Sequence, residues 1–147
     1  VNAGIGATCS DLGAHRVQAH LLDRHPDVVM VEYAVNDGIN PMAKETLEGL
    51  VRRILKESNR PAVMLLFTMD NKGGNTQQAH AEIGRHYGLP MASFRDALWP
   101  EVEAKRIAWT DIEADEVHPN DRGHRLIYEA AVAFEREFPI DPEETKP

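Results

Sequence analysis

The apolar positions of this chain switch between two periods. Short unbroken runs rich in β-branched residues alternate with longer stretches carrying a three-to-four-residue stripe. Val28 to Tyr33 and Ala62 to Phe67 are runs of the first kind, the composition expected of strands covered on both faces, and the first of them is expected to be central in its sheet. Between them, Asn40 as cap and Pro41 at the first helical position open a stretch that puts Leu47, Leu50, Val51, Ile54 and Leu55 on one stripe. This predicts a helix ending near Ser58-Asn59, before Pro61.

Upstream, Val1 to Ile5 reads as the tail of a strand entering a glycine-rich turn. Ser10 to Arg24 predicts a helix burying Leu12, Val17, Leu21 and Leu22, stopped by His25-Pro26-Asp27. Downstream, Asp70-Asn71-Lys72-Gly73-Gly74-Asn75 is expected to form a mobile loop at a strand end. Asn75 then caps a helix to Tyr87 closed by Gly88, Pro90 to Ser93 is a short strand, and Phe94 to about Lys105 a short helix. A last helix is expected from about Asp121 to Phe138, with Ile127, Ala130, Ala131, Phe134 and Phe138 as its core stripe. The proline-rich, acidic residues 139–147 read as a tail or linker. Strand and helix alternating in this way predict an α/β domain with a parallel sheet.

Composition narrows the partners. Among 147 residues, 16 Lys and Arg against 24 Asp and Glu give a net charge of −8, a field that repels phosphate backbones and anionic lipid, so neither nucleic acid nor membrane is expected as a partner. The single cysteine, Cys9, excludes an internal disulfide and a multi-cysteine zinc site. Seven histidines invite a metal. The pairs His80 with His86 and His118 with His124 are spaced six apart, unlike the i, i+4 pair of a helical zinc motif, so no metal is expected. His15, His20, His25, His80 and His86 are expected to be exposed or at helix surfaces, and Trp99 and Trp109 to fill the core or else to lie near the substrate rim.

Three polar clusters follow expected strands or precede the last helix, where open α/β sheets place their sites. In Gly4-Ile5-Gly6-Ala7-Thr8 a turn leads into a helix start, exposing backbone N–H groups to an anion or carbonyl oxygen; a plain strand-to-helix turn capped by Thr8 or Ser10 accounts for the same residues. In Glu32-Tyr33-Ala34-Val35-Asn36-Asp37-Gly38 the Asn36 amide is placed to donate to an oxyanion, or the segment is a turn made of good turn residues. In Asp115-Glu116-Val117-His118-Pro119-Asn120-Asp121, Asp115 is spaced to turn back and accept from the His118 imidazole on a loop before the last helix, or the segment is a plain loop that Asn120 or Asp121 caps into that helix.

In this order and spacing, the blocks Asn2 to Thr8, Val35-Asn36-Asp37 and Asp115-Glu116-Val117-His118-Pro119 resemble those of the SGNH, or GDSL-type, serine hydrolase family, and the stretch from Glu32 to Asp37 is similar to a subgroup of carbohydrate esterases. The resemblance covers residues 1–138. It implies a three-layer, flavodoxin-like parallel sheet of order 2-1-3-4-5 and hydrolysis of small acyl esters, carbohydrate acetyl esters among them, with no cofactor. It implies His118 as general base, Asp115 as its orienting acid, and an oxyanion hole of the Asn36 side chain and the Gly6 N–H, with Gly4 as the other glycine in register.

The family's nucleophilic serine lies in a Gly-Asp-Ser block at the end of a first, inner strand. Ser10, Ser58 and Ser93 do not follow a strand in such a turn, and Cys9 and Ser10 read better as cap and packed small residue than as substitutes. The serine and its strand are therefore expected from a segment ahead of Val1 or from another chain. Without that strand, unpaired sheet edges would promote association. The alternative from another functional class is a glycan- or acyl-binding domain that lost its nucleophile.

Overall fold

The computed structural model describes residues 1–137, with side chains through residue 133. The expected core positions Phe134 and Phe138 and the 139–147 tail lie outside these described side chains and residues. The elements run α1 (Ser10–His20), β1 (Val28–Glu32), α2 (Ala43–Leu55), β2 (Ala62–Phe67), α3 (Gln77–His86), β3 (Met91–Ser93), α4 (Phe94–Glu103), α5 (Trp109–Ile112) and α6 (Asp121–Glu137). The strands form one parallel sheet of order β1-β2-β3, with Val28 opposite Ala62 and Leu65 opposite Met91. Each crossover is helical, as parallel pairing demands.

Alternation along β2 turns Val63, Leu65 and Phe67 to one face of the sheet. Val63, Leu65 and Phe67 join Val29 and Val31 of β1 and meet the α2 stripe Leu47, Leu50, Val51 and Ile54, with Val17 of α1 and Ile83 of α3. Each of these side chains contributes roughly 1.5–3 kcal/mol of burial. Beyond the end of β2, Met69 joins Phe94 and Ile112 in a second core, closed by Leu126 and Ile127 of α6. Trp99 and Trp109 are half-buried against this second core rather than inside it.

Several expectations are corrected. Val1 to Ile5 forms no strand, because no neighbouring strand takes up its backbone groups, and Ile5 is 47% exposed. Within the sheet of the described residues β1, expected to be central, lies at an edge, and with Val29 and Val31 buried and Val28 and Met30 about half exposed only one face of its apolar run is covered. The first helix stops at His20, Leu22 to Arg24 tighten into a 3-10 turn, and His25 adopts a left-handed conformation at φ 49°. Leu12, expected in the core, is 41% exposed on α1. The second helix begins at Ala43 rather than at Pro41, because Asn40 caps the preceding turn through its Oδ1 and the Met42 N–H, and it ends at Leu55, before Ser58. His80, expected at a helix surface, is 2% exposed. The short helix α5 has no counterpart in the expectations; its four residues are too few to set a period.

Candidate active site

The glycine turn and the Asn36 turn are fastened together at the amino end of α1. The Asn36 Nδ2 donates to the Thr8 carbonyl at 3.1 Å, and the Cys9 thiol donates to the Asn36 carbonyl at 3.2 Å. The residues expected to cap α1 do not do so. Thr8 Oγ1 donates to the Ile5 carbonyl and Ser10 Oγ pairs with Thr46 Oγ1 at 2.6 Å, whereas the Ser10 N–H donates to Asp37 Oδ1 at 2.8 Å. A carboxylate brought in from another turn thus caps the helix, the sign of charge a helix amino end favours. Within the glycine turn, the Gly4 N–H already donates to Asn2 Oδ1 at 2.9 Å, while Gly6 has open space where a side chain would stand.

Asp37 is the hub of this half of the site. Its other oxygen lies 3.0 Å from His80 Nε2, with both side chains almost wholly buried. Burial opposes ionisation of Asp37, but the hydrogen bonds from His80 and from the Ser10 N–H outweigh it and hold the carboxyl below its ordinary value of 3.8. Just upstream, Glu32 Oε1 accepts from the Ala34 N–H and from Thr68 Oγ1, both at 2.9 Å, tying the end of β1 to the end of β2. Burial pushes the Glu32 carboxyl up, against those hydrogen bonds.

The other half is the loop before α6. His118 Nδ1 lies 2.8 Å from Asp115 Oδ2, and Asp115 Oδ1 accepts from the Val117 and His118 N–H groups, both at 2.9 Å. These bonds, first the Val117 N–H and then the His118 side chain, draw the Asp115 carboxyl down to about 2. A carboxylate fixed in this way selects the tautomer with the proton on Nδ1 and leaves Nε2 as an acceptor. The loop is closed as a hairpin: Glu113 pairs antiparallel with Pro119, and the Ala114 N–H donates to the His118 carbonyl at 2.8 Å. The Trp109 indole braces it, donating to the Asp115 carbonyl at 2.6 Å. Asn120 Oδ1 caps α6 through the Arg122 and Gly123 N–H groups, both at 3.0 Å.

Gly123 seats that cap. An added Cβ there would overlap the Ile112 carbonyl oxygen, a backbone atom that cannot swing aside. Gly123→Ala is expected to cost about 2 kcal/mol of stability, read from urea unfolding at pH 7; a midpoint unchanged from wild type would mean that α6 shifts freely against the hairpin.

The segment after β2, expected to be mobile, joins the two halves. Asp70 Oδ1 accepts from the Lys72 and Gly74 N–H groups, and Gly73, at φ 71°, lies against the Trp99 indole. From this tied loop the Asn71 N–H donates to the Glu116 carbonyl at 2.8 Å. At its other end Thr76 donates to the Ala34 carbonyl through both N–H (2.8 Å) and hydroxyl (2.7 Å). The His118 loop and the Asn36 turn therefore share one strut.

Of the expected residues, the structure pairs Asp115 with His118 and brings Asn36 to the glycine turn. Ser10 is fully buried, Ser93 caps α4 by accepting from the Asp96 N–H, and Ser58 lies in the turn leading into β2, at the opposite end of the sheet. Sequence reading missed Asp37, His80 and Thr76. A cleft of about 600 Å³ runs between residues 1–8, α1 and the free edge of β1, lined by Gly4, Gly6, Val28, Met30 and Glu32 and reaching Asn36. Among the described residues no three metal-binding side chains gather, and no described helix is long and apolar enough to cross a membrane.

Comparison with known proteins gives a consistent picture. A two-domain esterase (CEX) active on acetylated mannans, crystallised with mannopentaose, superposes with a TM-score of 0.90 and 42% identity over 93% of this chain and 38% of its own. An acetylxylan esterase, Axe2 from Geobacillus stearothermophilus, shares the fold at a TM-score of 0.72 with 20% identity, over 96% of this chain and 72% of its own. Thioesterase 1/protease 1/lysophospholipase L1 of Escherichia coli K12 is 27% identical over 128 residues, 82% of this chain and 59% of the thioesterase. The chain thus spans about three fifths of that relative and under two fifths of CEX. The model of the GDSL-like lipase/acylhydrolase family matches residues 1–126, and the chain belongs to that family.

Proposed function

We propose that the protein is a serine ester hydrolase acting on small acyl esters, with acetyl groups on carbohydrate as its substrates. The observation that carries this reading is the His118–Asp115 pair at 2.8 Å, in which the carboxylate is pinned by two backbone N–H groups and the imidazole is 72% exposed. A serine hydroxyl attacks the acyl carbonyl and gives its proton to His118 Nε2. The Asn36 amide and the Gly6 N–H hold the oxyanion. Collapse releases the alcohol, protonated by His118, and leaves an acyl-serine, which water hydrolyses with His118 again taking the proton. Neither a metal nor an organic cofactor is needed for these steps.

The serine comes from outside the described residues, on a strand that adds to the free edge of β1. Three observations support this. Ser10, Ser58 and Ser93 are buried, remote or engaged as described. Among the described residues the outer edge of β1 is unpaired, Val28 and Met30 of that strand are half-exposed, and the cleft beside it leads to Asn36. Such an edge otherwise invites association between chains. The carbohydrate preference rests on the likeness to CEX, which is active on acetylated mannans.

The test is to treat the full-length protein with a fluorophosphonate and to assay acetate release from acetylated mannan. A single labelled serine with acetate release is expected. Ligand binding with neither labelling nor release would instead make the domain a glycan- or acyl-binding module.

A further inference from the structure

The proposed steps need the His118 imidazole and the Asn36 amide at a fixed spacing, yet the two stand on loops far apart in the chain. The segment from Asp70 to Thr76 is bonded to both loops. At one end the Asn71 N–H donates to the carbonyl of Glu116, just ahead of His118, at 2.8 Å. At the other, Thr76 holds the carbonyl of Ala34, just ahead of Asn36, through its N–H at 2.8 Å and its hydroxyl at 2.7 Å. We propose that this segment is a spacer that sets the base against the oxyanion donor, with Asp70 and Thr76 as its positioning residues. This rests on the hydrolase reading of the site.

The segment is built to be stiff. Asp70 Oδ1 accepts from the Lys72 N–H at 2.9 Å and from the Gly74 N–H at 2.7 Å. The Asp70 N–H donates to the Gly74 carbonyl at 3.0 Å, and the Gly73 N–H to the Asp70 carbonyl at 2.9 Å. Asn75 Nδ2 fastens the segment to the Thr68 carbonyl, just past β2, at 2.6 Å. Backbone groups paired with one another in this way open together rather than singly. Thr76 also reaches Asn36 from both sides. Its hydroxyl holds Ala34 and lies 3.4 Å from His80 Nε2, while His80 Nε2 is 3.0 Å from Asp37, the residue after Asn36. The Ala34 N–H is held in turn by Glu32 Oε1 at 2.9 Å. A shift of about 1 Å at a catalytic group costs on the order of 10²-fold in rate, so a residue that fixes the turn carrying Asn36 acts on catalysis without touching substrate.

Two measurements on the full-length protein test this. The first is hydrogen exchange at the two ends of the segment. Asp70→Ala should speed exchange of both the Asn71 and the Thr76 backbone N–H, each by about tenfold or more. Acceleration at one end only, or at neither, overturns the proposal whether or not the protein hydrolyses esters. The second is a double-variant cycle on kcat for p-nitrophenyl acetate. Thr76→Val removes the hydroxyl and keeps the shape; it should lower kcat about tenfold with KM within about twofold of wild type, and Thr76→Ser should behave nearly as wild type. Added to Asn36→Ala, Thr76→Val should cost less than about twofold more, because the donor it aims is gone. An equal cost in both backgrounds would make Thr76 purely structural and overturn its positioning role. Exchange that quickens at both ends in a protein without any turnover would overturn the hydrolase reading, and with it the catalytic role given to Thr76, while the spacer itself stands.

Discussion

Replacing His118 with alanine in the full-length protein should lower kcat for p-nitrophenyl acetate by about 10³-fold or more, with little change in KM. In the proposed mechanism the imidazole serves twice, taking the serine proton during attack and returning it to the departing alcohol, so its loss would leave only the oxyanion donors and substrate binding to accelerate the reaction. Its 72% exposed ring makes few packing contacts, so the substitution should leave unfolding almost unchanged, which separates a chemical loss from a structural one. Asp115→Asn should cost roughly 10²–10⁴-fold, because an amide no longer fixes the Nδ1–H tautomer. The double variant should be no worse than His118→Ala alone, as expected of residues that work as one unit. Asp115, held near 2, stays ionised through the ordinary assay range, so the acid limb of the profile cannot come from it. Near-wild-type turnover by His118→Ala would sink the assigned role.

How much of this was legible beforehand follows from the range of the interactions. The α2 stripe and the β2 run are set by local periodicity, and both elements appear close to where the pattern puts them. Asp115 and His118 are three residues apart, so their pairing is a property of one loop and could be read from spacing. Burial of β1 on its second face depends on what packs over the sheet there, which periodicity within Val28 to Tyr33 cannot report. The same holds for Asp37 and His80, 43 residues apart: Asp37 looks like an ordinary turn residue, and His80 like a polar position on an amphipathic helix. Thr76 carries no local signal either, since its partner Ala34 lies 42 residues away. The loop at 70–75 reads as flexible from its glycines and polar residues, yet Asp70 satisfies two of its N–H groups and Trp99 fills the space that Gly73 leaves. Turn composition identifies where chain direction changes, but the stiffness of a turn depends on how many of its polar groups find partners within the fold.

The buried Asp37–His80 pair leads to the largest expected stability effect. Asp37→Ala removes the acceptor of the Ser10 N–H and the close partner of His80 together, leaving an uncapped amino end of α1 and a buried imidazole with only the longer 3.4 Å contact from Nε2 to Thr76 Oγ1. Breaking a buried pair from one side costs about 3–5 kcal/mol, well above its net worth to the fold, because the remaining group stays desolvated. Asp37→Asn keeps a carbonyl oxygen for the Ser10 N–H and an amide beside His80 Nε2, so it should cost only about 1–2 kcal/mol. The pH dependence follows from the lowered Asp37 carboxyl. Its contribution is complete above the unfolded value near 3.8 and is lost as pH falls through the folded one, so the gap between wild type and Asp37→Asn should close as pH falls below 4. Urea unfolding as a function of pH reads both effects, and a cost for Asp37→Ala below about 1 kcal/mol would remove Asp37 as the hub. Because Asn36 precedes Asp37 in the same turn and reaches the glycine block through Thr8, the two variants should rank alike in stability and in kcat. The clamp that fastens α1 would then also aim the oxyanion donor.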